Sequence, residues 1–495
     1  MQALGKILAA GVAAVIVGST ASYALDTTES GAGPSLDPVF QKWNKPNTPG
    51  CAVGYSRNGG PPVTRFYGSA DLEHDIAIDA DTVFEAGSIS KQFTAASILS
   101  LAEQGKLALS DDVRKYIPEL PSYGVLITID QLINHTSGLR DWGDIEMIAG
   151  WPRTSRIYTL SDVLDIAARQ KNLNYSPGTR YSYTNTGYNL LAIIVQRVSG
   201  ESLAQYSRKK FFLPLGMTHT QWRDDFRRVV KHRAIAYKAI KEGYEQQMPF
   251  ESAYGNGGML TTIGDLLKWN DALSAGQLGP FLTAELPRQS KLLTGQEISY
   301  ARGLVVESYR GVREIAHSGS TAGYRTWLGR YPDSNLSVAL LCNASDAKTV
   351  DLAHDVVDLL LPSSSKLGSV TGKAEQLARR VSNAVRGDAI KARLKNPWHP
   401  TAADLQKLTG VYSSDEAMAT YEITLKEGNL TATPTSRRSA AFTLVPTEID
   451  TFQRDDEPGT FHFLRNSNGE IDRFEAATER VYALPFRRAG AALRP

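Results

Sequence analysis

The sequence predicts an α+β domain followed by a smaller all-β unit, and three observations carry that expectation. Strand-like runs flank a mostly helical middle between Cys51 and Leu361, which suggests one antiparallel sheet in which the two ends of the domain meet. After Leu361 a polar stretch, PSSSKLGSVTGK, breaks the pattern. From about Leu408 onward the chain is strand-rich, and Glu427-Gly428-Asn429 and Asn466-Ser467-Asn468-Gly469 read as hairpin turns of a small antiparallel barrel. At 495 residues the chain has room for roughly two or three domains. Its 42% hydrophobic and 21% charged content suits a globular core. A net charge of +2 supplies no general attraction to nucleic acid, so none is expected as a partner.

Taken in order, the first element is a leader. Met1 to Lys6 is a positive start, Ile7 to Val17 a short apolar run, and Ser22 and Ala24 are small residues placed for cleavage after Ala24. Residues 1–24 are therefore expected to be a secretory signal peptide, and the mature protein to be periplasmic or secreted. The residue directly after the cleavage point is Leu25 and not Cys, which argues against a lipid anchor. No later window has the ~18 apolar residues of a membrane span.

Cys51 to Asp81 reads as strand, Asn58-Gly59-Gly60 turn, and a second strand VTRFYGSADL. TIDQLINHTSGL predicts a helix with a Thr128/Gln131 capping box and a stop at Gly138, and TGYNLLAIIVQRVSG one ending at Gly200. REIAHSGST, GYRTWLGRYP and LSVALLCNAS are three further strands. The linker, 363–405, carries one amphipathic helix, AEQLARRVSNAVRG, and the β unit is expected over 406–495. Cys51 and Cys342 are too far apart in sequence for a metal pair. A disulfide and two buried thiols both remain open for them. With no His-Glu-x-x-His, no Cys/His cluster and no glycine-rich phosphate loop, neither metal nor cofactor is expected.

Ser-x-x-Lys occurs four times, at Ser88/Lys91, Ser207/Lys210, Ser345/Lys348 and Ser363/Lys366. Only the first has a distinctive setting. TVFEA is strand-like, Gly87 permits a sharp turn, and the helix that follows is apolar nearly all round, hence buried. A hydroxyl and an ammonium three residues apart share one face of its first turn. A lysine buried there is costly without a task or partners. The plainer alternative is a capping serine with a snorkelling lysine.

From about Pro49 to Leu361 the chain resembles the penicillin-recognising serine hydrolases, in the branch of class C β-lactamases, D-Ala-D-Ala carboxypeptidases, D-aminopeptidases and related esterases. The segments that carry the resemblance are FEAGSISKQFTAASILSLAEQGKLALSDDVRKYIPELP, ITIDQLINHTSGL, YSYTNTGYNLLAIIVQRVSG, FFLPLGMTHT and YGNGGMLTTIGDLLKW, in the family's order. The resemblance implies a β-lactamase/transpeptidase-like domain over 25–362, followed by a lipocalin-like barrel that in relatives can cover the active site. It makes Ser88 the nucleophile and Lys91 with Tyr183 its proton acceptors, Tyr183-Thr184-Asn185 being the Tyr-x-Asn motif. Asn185 would orient the substrate, and the backbone N–H groups of Ser88 and Ser320 would form the oxyanion hole. The third motif reads His317-Ser318-Gly319 where the family's lactamases have Lys-Thr-Gly. The resemblance also finds the His-x-Gly form among the family's peptidases. These three residues would help bind substrate, the cation there is a titrating one, and His317 can donate a hydrogen bond to Tyr183 or to substrate. His135 is taken as structural.

Acyl transfer on peptide or ester carbonyls follows from the resemblance, with D-amino-acid peptides or peptidoglycan stems as the leading expected substrates. A β-lactamase or esterase, and a penicillin-binding cell-wall protein with little turnover, are the alternatives. A neutral Lys91 needs its pKa lowered by ~3 units, for which burial and a cationic His317 are the expected causes. The other microstate of the pair is a Tyr183 phenolate beside cationic Lys91. The oligomeric state stays open.

Overall fold

The computed structural model describes residues 34–153, 155–361 and 398–490. The expected signal peptide, the linker helix Ala374–Gly387 and the Ser363/Lys366 pair lie outside the described residues. The described residues from Leu36 onward belong to one compact unit. Among the described residues no helix is long and apolar enough to cross a membrane.

The central sheet has six antiparallel strands: β1 (Cys51–Arg57), β2 (Val63–Tyr67), β3 (Val305–Tyr309), β4 (Val312–Thr321), β5 (Tyr324–Tyr331) and β6 (Leu336–Cys342). Their spatial order is β3-β4-β5-β6-β1-β2, so the two ends of the domain do meet at the β6–β1 pairing. Pleating sends alternate residues to opposite faces. Val53, Tyr55, Val338 and Leu340 enter one core with Val356 and Val357, whereas Ala52, Ala339 and Leu341 enter the other with Leu266 and Leu267. Both faces of the sheet are thus covered. Cys51 and Cys342 sit opposite each other in register and are joined by a disulfide.

Helices relevant to the site are α1 (Ser90–Glu103), α2 (Ile129–Ile133), α3 (Trp142–Ile148), α4 (Leu160–Ala168) and α5 (Asn185–Ser199). The Thr128/Gln131 capping box forms as expected, and Gly200 closes α5 with φ 77°. Two expectations need correction. The α2 helix ends at Ile133, well short of Gly138, because His135 takes a left-handed φ of 58°. The second strand breaks at Gly68, φ 78°, where a Cβ would lie 2.7 Å from the Pro49 carbonyl oxygen.

The C-terminal β region is a closed eight-stranded antiparallel barrel from Gly410 to Arg488, entered through the helix Ala402–Leu408. Its interior does not end at its own strands. Tyr412, Tyr421, Phe461, Phe474 and Phe486 share one apolar core with Trp142, Ile145 and Ile148 of α3 and Val163 and Ile166 of α4. The Tyr421 hydroxyl donates to the Ile148 carbonyl at 2.5 Å, so α3 closes one mouth of the barrel. Beside it, Arg140 and Glu416 form a buried ion pair at 2.7 Å.

Candidate active site

Strand Phe84–Glu85 leads into a single tight turn, Gly87–Ile89, that runs straight on into α1 and presents Ser88. Gly87 has φ 53°, and a Cβ there would lie 2.8 Å from the Ser320 backbone nitrogen. A Cβ at Gly319 would fall 2.1 Å from Thr326 Oγ1 and 2.2 Å from the Ala86 carbonyl oxygen. Both glycines therefore let strand β4 lie directly against the turn, which puts the backbones of Ser88 and Ser320 in one corner. Behind the turn, Glu85 is buried and paired with the Arg223 guanidinium at 2.8 and 3.0 Å.

Lys91 is fully buried, so it does not snorkel. Its Nζ lies 3.1 Å from Ser88 Oγ, 3.1 Å from Asn185 Oδ1 and 2.6 Å from the Asn256 carbonyl oxygen. Two of those partners are carbonyl oxygens, which only accept. A neutral amine satisfies all three sites: its two N–H bonds go to the carbonyls and its lone pair faces the Ser88 hydroxyl. The Lys91 pKa is well below the ordinary lysine value, chiefly through burial and then through the Arg153 and Arg480 cations, with Asp141 opposing. The Lys91 nitrogen also stands 4.7 Å from the centre of the Tyr183 ring.

Tyr183 is pushed the other way. Burial raises its pKa, and the nearby Ser88 hydroxyl and Arg480 only partly offset that. Its own hydroxyl has no well-formed hydrogen bond among the described residues. Of the two microstates the sequence leaves open, these directions favour neutral lysine with neutral tyrosine and count against the phenolate.

His317 differs from expectation. It is buried, and burial and then Lys91 hold its pKa down to about 4, so at neutral pH it is no cation. The expected push from a charged His317 on Lys91 is absent; Arg153 and Arg480 supply it. Its Nδ1 lies 2.6 Å from the Ser318 carbonyl oxygen, to which an Nδ1–H donates, leaving Nε2 to accept from the Tyr300 hydroxyl at 3.3 Å. The hydrogen bond is to Tyr300, not to Tyr183. Ser318 and Ser320 are exposed and Ser88 is partly so, which leaves the corner open to solvent.

Asn185 is the first residue of α5, with Thr184 at the cap position, so neither Asn185 nor Thr186 caps the helix. The Asn185 backbone N–H donates to Asp141 Oδ2 at 2.5 Å while Oδ1 of Asp141 caps α3. His135 accepts the Thr184 N–H on Nδ1 at 3.2 Å and its ring lies 4.2 Å from that of Tyr183, so it props the tyrosine from behind. Asp141, Asn256, Tyr300 and Arg480 were not singled out by sequence. Asp141 shows the ordinary signature of a cap before Trp142-Gly143, and Asn256 acts through a backbone carbonyl that no side-chain pattern marks. Arg480 comes from the barrel.

Of the other serine–lysine pairs, Ser207 is buried and donates to the Leu203 carbonyl while accepting from the Trp222 indole, with Lys210 exposed. Ser345 is partly buried and Lys348 exposed. Neither pair meets the residues around Ser88.

Comparison with known proteins gives a consistent result. Residues 37–361 match the family model described as Beta-lactamase. Penicillin-binding protein 4* of Bacillus subtilis (strain 168) is 30% identical over 298 residues, covering 57% of this chain and 65% of that protein. A D-aminopeptidase of Cereibacter sphaeroides is 27% identical over 303 residues, covering 60% of this chain and 57% of that one. The chain thus spans less than two thirds of these relatives' lengths. In fold it is similar to the octameric penicillin-binding protein homologue from Pyrococcus abyssi, with a TM-score of 0.56 at 23% identity over 88% of this chain and 95% of that one.

Proposed function

Because the chain belongs to the beta-lactamase family, whose members are serine hydrolases, we propose that it hydrolyses peptide or ester carbonyls through an acyl-enzyme on Ser88. The observation that carries this reading is the Lys91 amine, held by two carbonyl acceptors with its remaining site on Ser88 Oγ. Ser88 Oγ attacks the carbonyl carbon as its proton passes to Lys91. The oxyanion that develops is met by the backbone N–H groups of Ser88 and Ser320. Tyr183 donates its hydroxyl proton to the leaving atom and is reprotonated from Lys91, so the leaving group lies against Tyr183. Water then enters by the reverse route and releases the acid.

D-amino-acid peptides, such as peptidoglycan stems, are the proposed substrates, supported by the relatives named as a D-aminopeptidase and a penicillin-binding protein. The neutral His317 weighs against specialisation on lactams, and the exposure of Ser318 and Ser320 weighs against a blocked, binding-only cleft. Residence outside the cytoplasm belongs to the same proposal, supported by the leader-like first residues and the Cys51–Cys342 disulfide. The test is turnover of a short-chain nitrophenyl ester and of a D-Ala-D-Ala-terminated peptide by wild type and Ser88→Ala. Turnover of either that vanishes in the variant supports the proposal; equal turnover in the variant refutes it.

A further inference from the structure

The barrel places one cation over the catalytic corner. Arg480 sits in the loop between barrel strands Ile471–Ala477 and Leu484–Arg488, with its guanidinium carbon 5.3 Å from the centre of the Tyr183 ring. That loop is fixed to the hydrolase domain on several sides. The Arg480 carbonyl accepts from the Asp141 N–H at 3.2 Å and from Asn174 Nδ2 at 2.9 Å. Next to it, the Tyr482 N–H donates to Asn174 Oδ1 at 2.8 Å and the Thr478 hydroxyl to Asp144 at 2.7 Å.

These bonds hold the loop through its backbone and the Thr478 hydroxyl and leave the guanidinium against the Tyr183 ring. Among the described residues it makes no hydrogen bond or ion pair, and it is only half buried. The nearby carboxylates Asp141 and Asp144 support its charge from beyond ion-pair distance, and their oxygens are bound to other groups: Asp141 receives the N–H groups of Gly143, Asp144 and Asn185, and Asp144 receives Thr478. The other permanent cation of the corner, Arg153, is held by both oxygens of Glu251. Lys91 is buried, and His317 is neutral at the position where the resembled lactamases carry lysine. Among the described residues of the corner, Arg480 is thus the accessible charge left to take a substrate anion.

We propose that Arg480 binds the carboxylate of the leaving group, so that the preferred substrate ends in a free C-terminal carboxylate immediately after the scissile bond. This rests on the acyl-enzyme reading, in which the leaving group lies against Tyr183, the ring that Arg480 covers. A guanidinium takes a carboxylate through two parallel N–H bonds, which also fixes its orientation. The barrel is then part of the substrate site and not only its neighbour.

The test is inhibition of nitrophenyl-ester turnover by acetyl-D-Ala-D-Ala as free acid and as C-terminal amide, with full-length wild type, Arg480→Gln and Arg480→Lys. Wild type should bind the acid at least about tenfold more tightly than the amide, the worth of a charge-assisted pair in a half-open site. In Arg480→Gln that ratio should fall toward one, and Arg480→Lys should restore part of it, which a merely structural arginine would not do. A wild-type ratio near one, or an unchanged ratio in Arg480→Gln, overturns the assignment and leaves the acyl-enzyme reading standing. Ester turnover that survives Ser88→Ala overturns that reading, and the Arg480 assignment with it.

Discussion

Ser88/Lys91 and Ser207/Lys210 have the same spacing and both stand on helical turns, yet the molecule treats them oppositely. Around Ser88 the lysine is sealed in, faces two carbonyls and has two arginines nearby. Around Ser207 it is the serine that is sealed in: the hydroxyl donates a hydrogen bond to the Leu203 carbonyl and accepts one from the Trp222 indole, while Lys210 reaches solvent. A hydroxyl engaged on both sides cannot attack anything. Spacing brings the two groups to one face of a turn; burial and the choice of acceptors decide whether they do chemistry.

The largest expected effect is that of Lys91→Met, which keeps the volume and removes the proposed base. The rate of acylation should fall at least about a thousandfold with the fold unchanged, as measured by single-turnover kinetics and circular dichroism. The same comparison predicts that Lys210→Met leaves acylation as it was.

An intermediate effect concerns acid. His317 is held at about 4 when folded, against an ordinary value near 6.5. Between those values the unfolded chain binds a proton that the folded chain does not, so stability falls as the pH falls through that window. The full loss is about 3 kcal/mol. Urea unfolding at pH 7 and at pH 4.5 should show a smaller drop for His317→Asn than for wild type. His135, also held neutral by burial, continues to contribute in the variant.

The smallest predicted change separates the two serines by stability. Ser207→Ala leaves the Trp222 indole N–H buried without its acceptor and should cost about 1–3 kcal/mol in urea unfolding, with acylation unaffected. Loss of acylation in Ser207→Ala would break the comparison outright.

How much of this was legible in the sequence depends on distance along the chain. The hydroxyl–amine pair at the start of a buried helix, the Thr128/Gln131 cap, the Gly200 stop and the Glu427–Asn429 hairpin are local patterns, and they formed. The strands flanking the helical middle were enough to predict their meeting in one sheet. What failed was decided by tertiary surroundings. A histidine looks like a titrating cation until its burial is known, and His317 is neutral for that reason. The α2 helix stops early because His135 turns left-handed and its ring packs among Tyr183, Tyr188 and Tyr300. Arg480 carries no motif. It matters only because the closed barrel, stopped by α3, brings its loop onto Asp141 and Tyr183.

The most direct test of the central claim is to incubate wild type, Ser88→Ala and Ser207→Ala with a fluorescent penicillin and a reactive ester, then locate any adduct by intact-mass and peptide-mapping mass spectrometry. The environment around Lys91 predicts one acyl group, on Ser88, in wild type and Ser207→Ala and none in Ser88→Ala. An adduct on Ser207, or one that persists in Ser88→Ala, would contradict it.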